Sequence, residues 1–163
     1  MADTADMPMP QPTEEHQKLE GHCGVWNVDC TFYMDPTQPP MKVQAKETVD
    51  MFGGFWTVSL FEADMFGMPF QGRATLGFDP SSGEYVSTWF DTMSPQLFNF
   101  RGKFEGDTLS MRGEGWDCMV QGPATYRTTE QHHADGTRTF EMFMTPQGGE
   151  EMKLFTHVYS RAS

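Results

Sequence analysis

Positive charge is scarce in this chain. Across 163 residues it carries 11 Lys and Arg against 23 Asp and Glu, a formal net charge of −12. Affinity for phosphate backbones comes from basic side chains, so nucleic acid is excluded as an electrostatic partner. Anionic membrane surfaces are disfavoured for the same reason. No apolar run approaches the roughly 20 residues of a membrane-spanning helix. Cysteine is sparse too: Cys23, Cys30 and Cys118 are odd in number and irregular in spacing. They form no disulfide framework and read as free, partly buried thiols. The motifs of several enzyme classes are missing. There is no G-x-S-x-G nucleophile elbow and no glycine loop between a strand and a helix to hold phosphate. His22, Cys23 and Cys30 lack paired C-x-x-C spacing, and His132 and His133 are adjacent, so on a strand they face opposite sides. On this reading there is no metal site, and the segment around His22 is a solvated turn.

Residues 1–12 read MADTADMPMPQP, with two Asp, three Pro and no Lys or Arg. A secretory signal needs a basic start and an apolar stretch, so the segment is expected to be a flexible tail and the protein cytoplasmic. Residues 13–163 are expected to form one domain, and a chain of this length buries about 70% of the surface its unfolded form exposes.

What the sequence does contain is aromatic and β-like. A single helix is expected, capped by Thr13, with Glu14 and Glu15 in its first turn, running to about Glu20. Ten strand-like segments follow: Val25–Met34, Met41–Phe52, Phe55–Asp64, Met68–Asp79, Glu84–Thr92, Leu97–Glu105, Thr108–Asp117, Val120–His132, Thr137–Thr145 and Glu150–Ser160. The breaks between them have turn chemistry, as in Asp79-Pro80-Ser81-Ser82-Gly83 and Ala134-Asp135-Gly136. None can hold a parallel crossover. The expected fold is all-β: an antiparallel up-and-down β-barrel of about ten strands, closed because closure removes the sticky edges of an open sheet. Beyond about eight strands the interior is too wide for side chains alone to fill, so a cavity is expected. The chain has 14 Met and 14 Phe, 28 of 163 residues, and these suit an adaptable apolar lining. Phe140 and Met142 share one strand face, and Phe98 and Phe100 share another. A solid core of the same residues is the alternative.

Several stretches resemble known families. Gly24-Val25-Trp26, opening the first strand after a short helix, resembles the G-x-W start of the calycins: lipocalins, fatty-acid-binding proteins and nitrobindin-like proteins. Three longer stretches are similar to a bacterial family of uncharacterised proteins, the domain of unknown function 1579 family. They are Gly67–Gly72, Leu76–Asp79 and Tyr85–Met93, and the similarity continues through Phe140–Thr145. It covers roughly Glu14 to Arg161 and brings no assigned activity. The resemblance implies a calycin-like barrel in which Arg161 stacks on Trp26 at the closed end. If Arg161 points inward, strand parity turns Tyr159, His157 and Phe155 inward as well. These positions look like those where fatty-acid-binding proteins hold a ligand carboxylate, and where nitrobindin-like proteins ligate haem iron through a histidine. His157 is therefore expected at the polar end of a ligand site with Tyr159, Phe155, Phe140, Met142 and Phe100. No cofactor is read from the residues themselves, and haem enters only through this likeness.

The function expected is the binding of a small apolar or amphipathic ligand inside the barrel. The alternatives are an enzyme acting on such a ligand, or a structural, homodimer-forming module with a filled core. Asp91, Arg101, Arg112, Glu114, Arg127 and His157 are the candidates for acid–base work if they converge inside. The direction of Arg112 and Glu114 stays open.

Overall fold

The computed structural model describes residues 7–163. Residues 1–6, half of the expected tail, lie outside the described residues. Residues 7–12 are exposed and in neither helix nor strand.

The N-terminal cap forms first in the chain. Thr13 precedes the single α-helical turn α1 (Glu14–Gln17), and His16 Nδ1 accepts the Thr13 N–H at 3.0 Å, closing a capping box with a histidine in place of the usual Glu or Gln. The chain then tightens into a 3-10 segment, Lys18–His22, so the expected helix is only partly α. The reason is visible in the burial pattern. His16, Leu19 and His22 are the buried residues, spaced by three, and only a three-residue period keeps such positions on one line. Tyr85 Oη donates to the Glu15 carbonyl at 2.8 Å and holds the cap on the barrel.

Ten strands follow, in the number the sequence predicts: β1 (Gly24–Phe32), β2 (Met41–Phe52), β3 (Trp56–Met65), β4 (Met68–Asp79), β5 (Glu84–Asp91), β6 (Ser94–Glu105), β7 (Thr108–Asp117), β8 (Gly122–His132), β9 (Arg138–Pro146) and β10 (Met152–Arg161). Each pairs antiparallel with its neighbours in sequence, and β1 pairs with β10, so the sheet is a closed up-and-down barrel. The boundaries shift by a few residues from expectation. β6 starts at Ser94, three residues early, because Asp91 Oδ1 accepts the Met93 N–H and turns the chain so tightly that Ser94 already pairs with Asp91.

Alternation divides each strand between core and solvent. On β1, Trp26, Val28 and Cys30 are buried while Asn27, Asp29 and Thr31 are not. Opposite them on β10 stand Arg161, Tyr159 and His157, in the registers Trp26↔Arg161, Val28↔Tyr159 and Cys30↔His157. The one register shift on β10 lies between Lys153 and Phe155, outside the His157–Arg161 stretch, so parity holds there. The α1 cap sits at the end where β1 begins. The five connections β1–β2, β3–β4, β5–β6, β7–β8 and β9–β10 are all at the other end. No helix among the described residues is long and apolar enough to cross a membrane.

One backbone contact limits how the barrel curves. Gly102 on β6 faces Met111 on β7, and a Cβ there would lie 1.8 Å from the Ser110 carbonyl oxygen. That oxygen belongs to the backbone of the neighbouring strand and cannot move without opening the ladder. Gly102→Ala is expected to destabilise the fold by about 2–3 kcal/mol in urea unfolding, the upper part of the range for overpacking. Gly115→Ala, whose Cβ would make ordinary contacts with the Phe98 ring at 3.6 Å and the Tyr126 ring at 4.0 Å, is expected to change stability by less than about 1 kcal/mol.

Candidate functional site

The barrel encloses a cavity of about 390 Å³, within the range of about 300–1,000 Å³ seen for small-molecule sites. Its lining extends from His22 and Glu130 beside the cap to Phe32, Met65 and Asp91 at the last residues of β1, β3 and β5. All six residues expected at a ligand site are on its wall: His157, Tyr159, Phe155, Phe140, Met142 and Phe100.

His157 sits in a cage of rings. Phe155 stacks on it at 4.4 Å between centroids and 19°, and Phe61 at 5.5 Å and 15°. Phe32, Phe140 and Tyr159 close around it at 5.9–6.2 Å. The residue is 8% exposed, and Nε2 has no hydrogen-bond partner. With no carboxylate to offset it, burial pushes the imidazole down to about 3, so the ring is neutral at pH 7. This environment does not fit haem. Iron coordination would set a macrocycle across Nε2 and displace several of the five rings, whereas a single ligand hydroxyl or carbonyl needs only a small shift to reach it.

Tyr159 lies deeper, with the polar floor. There Arg138, from the first residue of β9, stacks between two rings, with its guanidinium carbon 4.3 Å from the Trp26 ring and 4.2 Å from that of Tyr159. Its Nη1 reaches Glu130 Oε2 at 3.1 Å, and its Nη2 approaches Glu47 Oε2 at 3.6 Å. Burial raises the Glu47 carboxyl despite Arg138. Burial also pushes Glu130 upward, but His22, Arg138 and His132 outweigh it and hold that carboxyl well below the usual range. Glu130 Oε1 meets His22 Nε2 at 2.5 Å and His132 Nε2 at 2.9 Å.

This floor corrects the sequence reading at His22. The residue is not on a solvated turn but 5% exposed inside the closed end. His132 and His133 do face opposite sides, yet His132 is joined from across the barrel by a residue 110 positions earlier. His133 instead bonds Thr139 Oγ1 at 2.8 Å. No local spacing could reveal the partnership, because strand pairing and the cap create it. The inward parity of Glu130 and His132 on β8 was the only signal available.

The acid–base candidates do not converge. Arg101, Arg112, Glu114 and Arg127 line a wide groove of about 1,300 Å³ on the outer wall of the barrel. Arg112 and Glu114 point outward, which settles their direction. Arg112 pairs with Glu84 at 3.0 Å and Arg127 with Glu151 at 2.7 Å, both exposed pairs of small energetic value. Asp91 lines the inner cavity and accepts the Trp89 Nε1–H at 2.8 Å. The thiols are free, as expected: Cys118 is exposed, Cys23 half-buried, and Cys30 buried with its thiol pushed up to about 12 by desolvation.

The end of the barrel away from the cap is apolar on its outside. Each of its five connections, or the strand end beside it, exposes a large apolar side chain, among them Met34, Phe66, Met93, Met119 and Met152. Met and Phe excess in the sequence thus goes partly to the cavity and partly to this rim.

Two predictions come from the buried charges. Truncating Arg138 to Leu leaves two buried carboxylates without their cation, so a loss of about 3–5 kcal/mol is expected by denaturant titration. His157 has its proton affinity lowered by folding from an unfolded value near 6.5. The unfolded chain therefore takes up a proton that the folded chain refuses. Stability contributed at neutral pH is lost as pH falls from about 6.5 toward 3, at up to about 1.4 kcal/mol per pH unit. His157→Phe is expected to flatten the stability–pH curve by that slope; an unchanged slope would show that the imidazole is not desolvated.

Residues 11–161 match a family described as protein of unknown function (DUF1579). Among solved structures, the chain is similar to the crystal structure of Rv2717c from M. tuberculosis, a ten-strand barrel, with a TM-score of 0.64 and 14% identity over 94% of this chain and 100% of that one. That likeness concerns the fold alone. No curated protein matches the sequence.

Proposed function

We propose that this chain, which belongs to the DUF1579 family, is a binding protein for a small, uncharged amphipathic molecule held inside a calycin-like barrel. The observation that carries the reading is His157: a neutral imidazole with an unpartnered Nε2, set among aromatic rings on the wall of a 390 Å³ cavity. A buried polar atom without a partner costs about 1–3 kcal/mol, and a ligand hydroxyl or carbonyl placed against Nε2 recovers it. The aromatic and Met lining takes the apolar body of the molecule.

Charge selects the head group. His157 is uncharged at neutral pH and offers a carboxylate no counter-ion. On the floor, Arg138 faces Glu47 and Glu130, so a ligand anion would meet two acids for one base, although Arg138 Nε and Nη2 have no hydrogen-bond partner there. An alcohol, amide or ester fits this balance better than a fatty acid.

Displacement of the neutral dye Nile red tests the reading. One-to-one saturable dye binding to the native protein is expected, with decan-1-ol displacing the dye at lower concentration than decanoate at pH 7. His157→Ala is expected to weaken decan-1-ol by about 1–3 kcal/mol. Dye uptake only on partial unfolding, or decanoate competing as well as the alcohol, would overturn it.

A further inference from the structure

The closed end of the barrel brings three metal-ligating side chains to one point. His22 ends the 3-10 segment of the cap, and Glu130 and His132 stand two apart on β8, so they share its inner face. One ligand atom from each of His22, Glu130 and His132 lies within 4.8 Å of the others, with the two imidazole rings 4.7 Å apart at 74°. Both histidines present Nε2 to the same carboxylate oxygen. Zinc bonds to nitrogen and carboxylate oxygen are about 2.0–2.2 Å long, which in a tetrahedral site spaces the donors about 3.4 Å apart. Side-chain shifts of about an ångström reach that spacing.

The surroundings favour a cation here. Two carboxylates, Glu47 and Glu130, face the single guanidinium of Arg138. The free Oε2 of Glu130 is held by Arg138 at 3.1 Å, an outer contact that orients the carboxylate and leaves Oε1 to the histidines. The His132 side chain keeps 23% of its exposure, which gives an ion an entry path and a position for water.

We propose that His22, Glu130 and His132 form a binding site for one divalent transition-metal ion, zinc by its donor set of two imidazoles and a carboxylate. The ion adds a further link between the N-terminal cap and the wall of the barrel, beside the hydrogen bonds from Tyr85, Trp26 and Arg161. The site is separate from the His157 cage, although His22 and Glu130 also line the floor of the cavity.

Calorimetric titration of chelator-treated protein with zinc chloride tests this. One equivalent is expected to bind, and saturating zinc is expected to raise Tm by about 5–10 °C at a hundredfold excess over Kd. His132→Gln is expected to weaken zinc at least tenfold. His133→Gln, one residue past the end of β8 and bonded to Thr139 instead, is expected to leave it unchanged. X-ray absorption of the zinc-loaded native protein supplies a readout that needs no variant: nitrogen and oxygen neighbours at about 2.0–2.2 Å are expected. A sulfur shell at about 2.3 Å would place the ion on the cysteines and overturn the proposal. Absence of one-equivalent binding, or full affinity in a folded His132→Gln protein, would do the same.

Discussion

The barrel is closed around one indole. Trp26 is 1% exposed and lies between two guanidiniums, Arg138 at 4.3 Å on one side and Arg161 at 3.8 Å on the other. Its Nε1 donates to the His22 carbonyl at 2.8 Å. Arg161 donates to the carbonyls of Gly21 and Cys23. The first strand, the last strand and the cap therefore meet at a single side chain. Closure of an up-and-down sheet depends on pairing β1 with β10, the contact most distant in sequence, and ordering so long a loop costs entropy. Cation–π stacking on both faces of Trp26, together with three hydrogen bonds into the cap, offsets that cost where closure happens.

From that point the interior changes in character along the barrel axis. The floor is polar and crowded: Arg138 faces Glu47 and Glu130, and His22 and His132 both meet Glu130 Oε1. Above it the wall is aromatic, and His157 stands alone among rings. These two buried environments act on their titratable groups in opposite ways. On the floor, Glu130 stays ionised because cationic and hydrogen-bonding partners overcome desolvation. In the cage, His157 stays neutral because nothing does. The barrel thereby separates a place for charge from a place for an uncharged ligand, a few residues apart along the strands.

The outer wall shows how little an isolated pocket volume says about a site. Its groove is the larger concavity, but Arg112 and Arg127 on it already pair with Glu84 and Glu151. The smaller inner cavity carries the unpartnered polar atoms. Binding chemistry goes where desolvated groups lack partners, since only there does a ligand recover a penalty that folding has left.

Much of this was legible in the chain itself. Turn residues at hairpin spacing determined the ten antiparallel strands, and once the calycin resemblance set Arg161 inward against Trp26, alternation implied that Tyr159, His157 and Phe155 face inward, because side-chain direction along a strand is a local property with a period of two. The Met and Phe excess announced an apolar interior for the same reason, although not that part of it would sit on the rim. The pairing of His22 with Glu130 and His132, the wedging of Arg138 between Trp26 and Tyr159, and the outward turn of Arg112 and Glu114 were decided only by the tertiary structure. His22 lies 108 residues from Glu130, and Arg138 lies 112 from Trp26. Neither separation has any periodicity that a sequence can display. Only the closing of the barrel, which sets the cap over the end of β8 and the start of β9 beside β10, brings those groups within bonding distance.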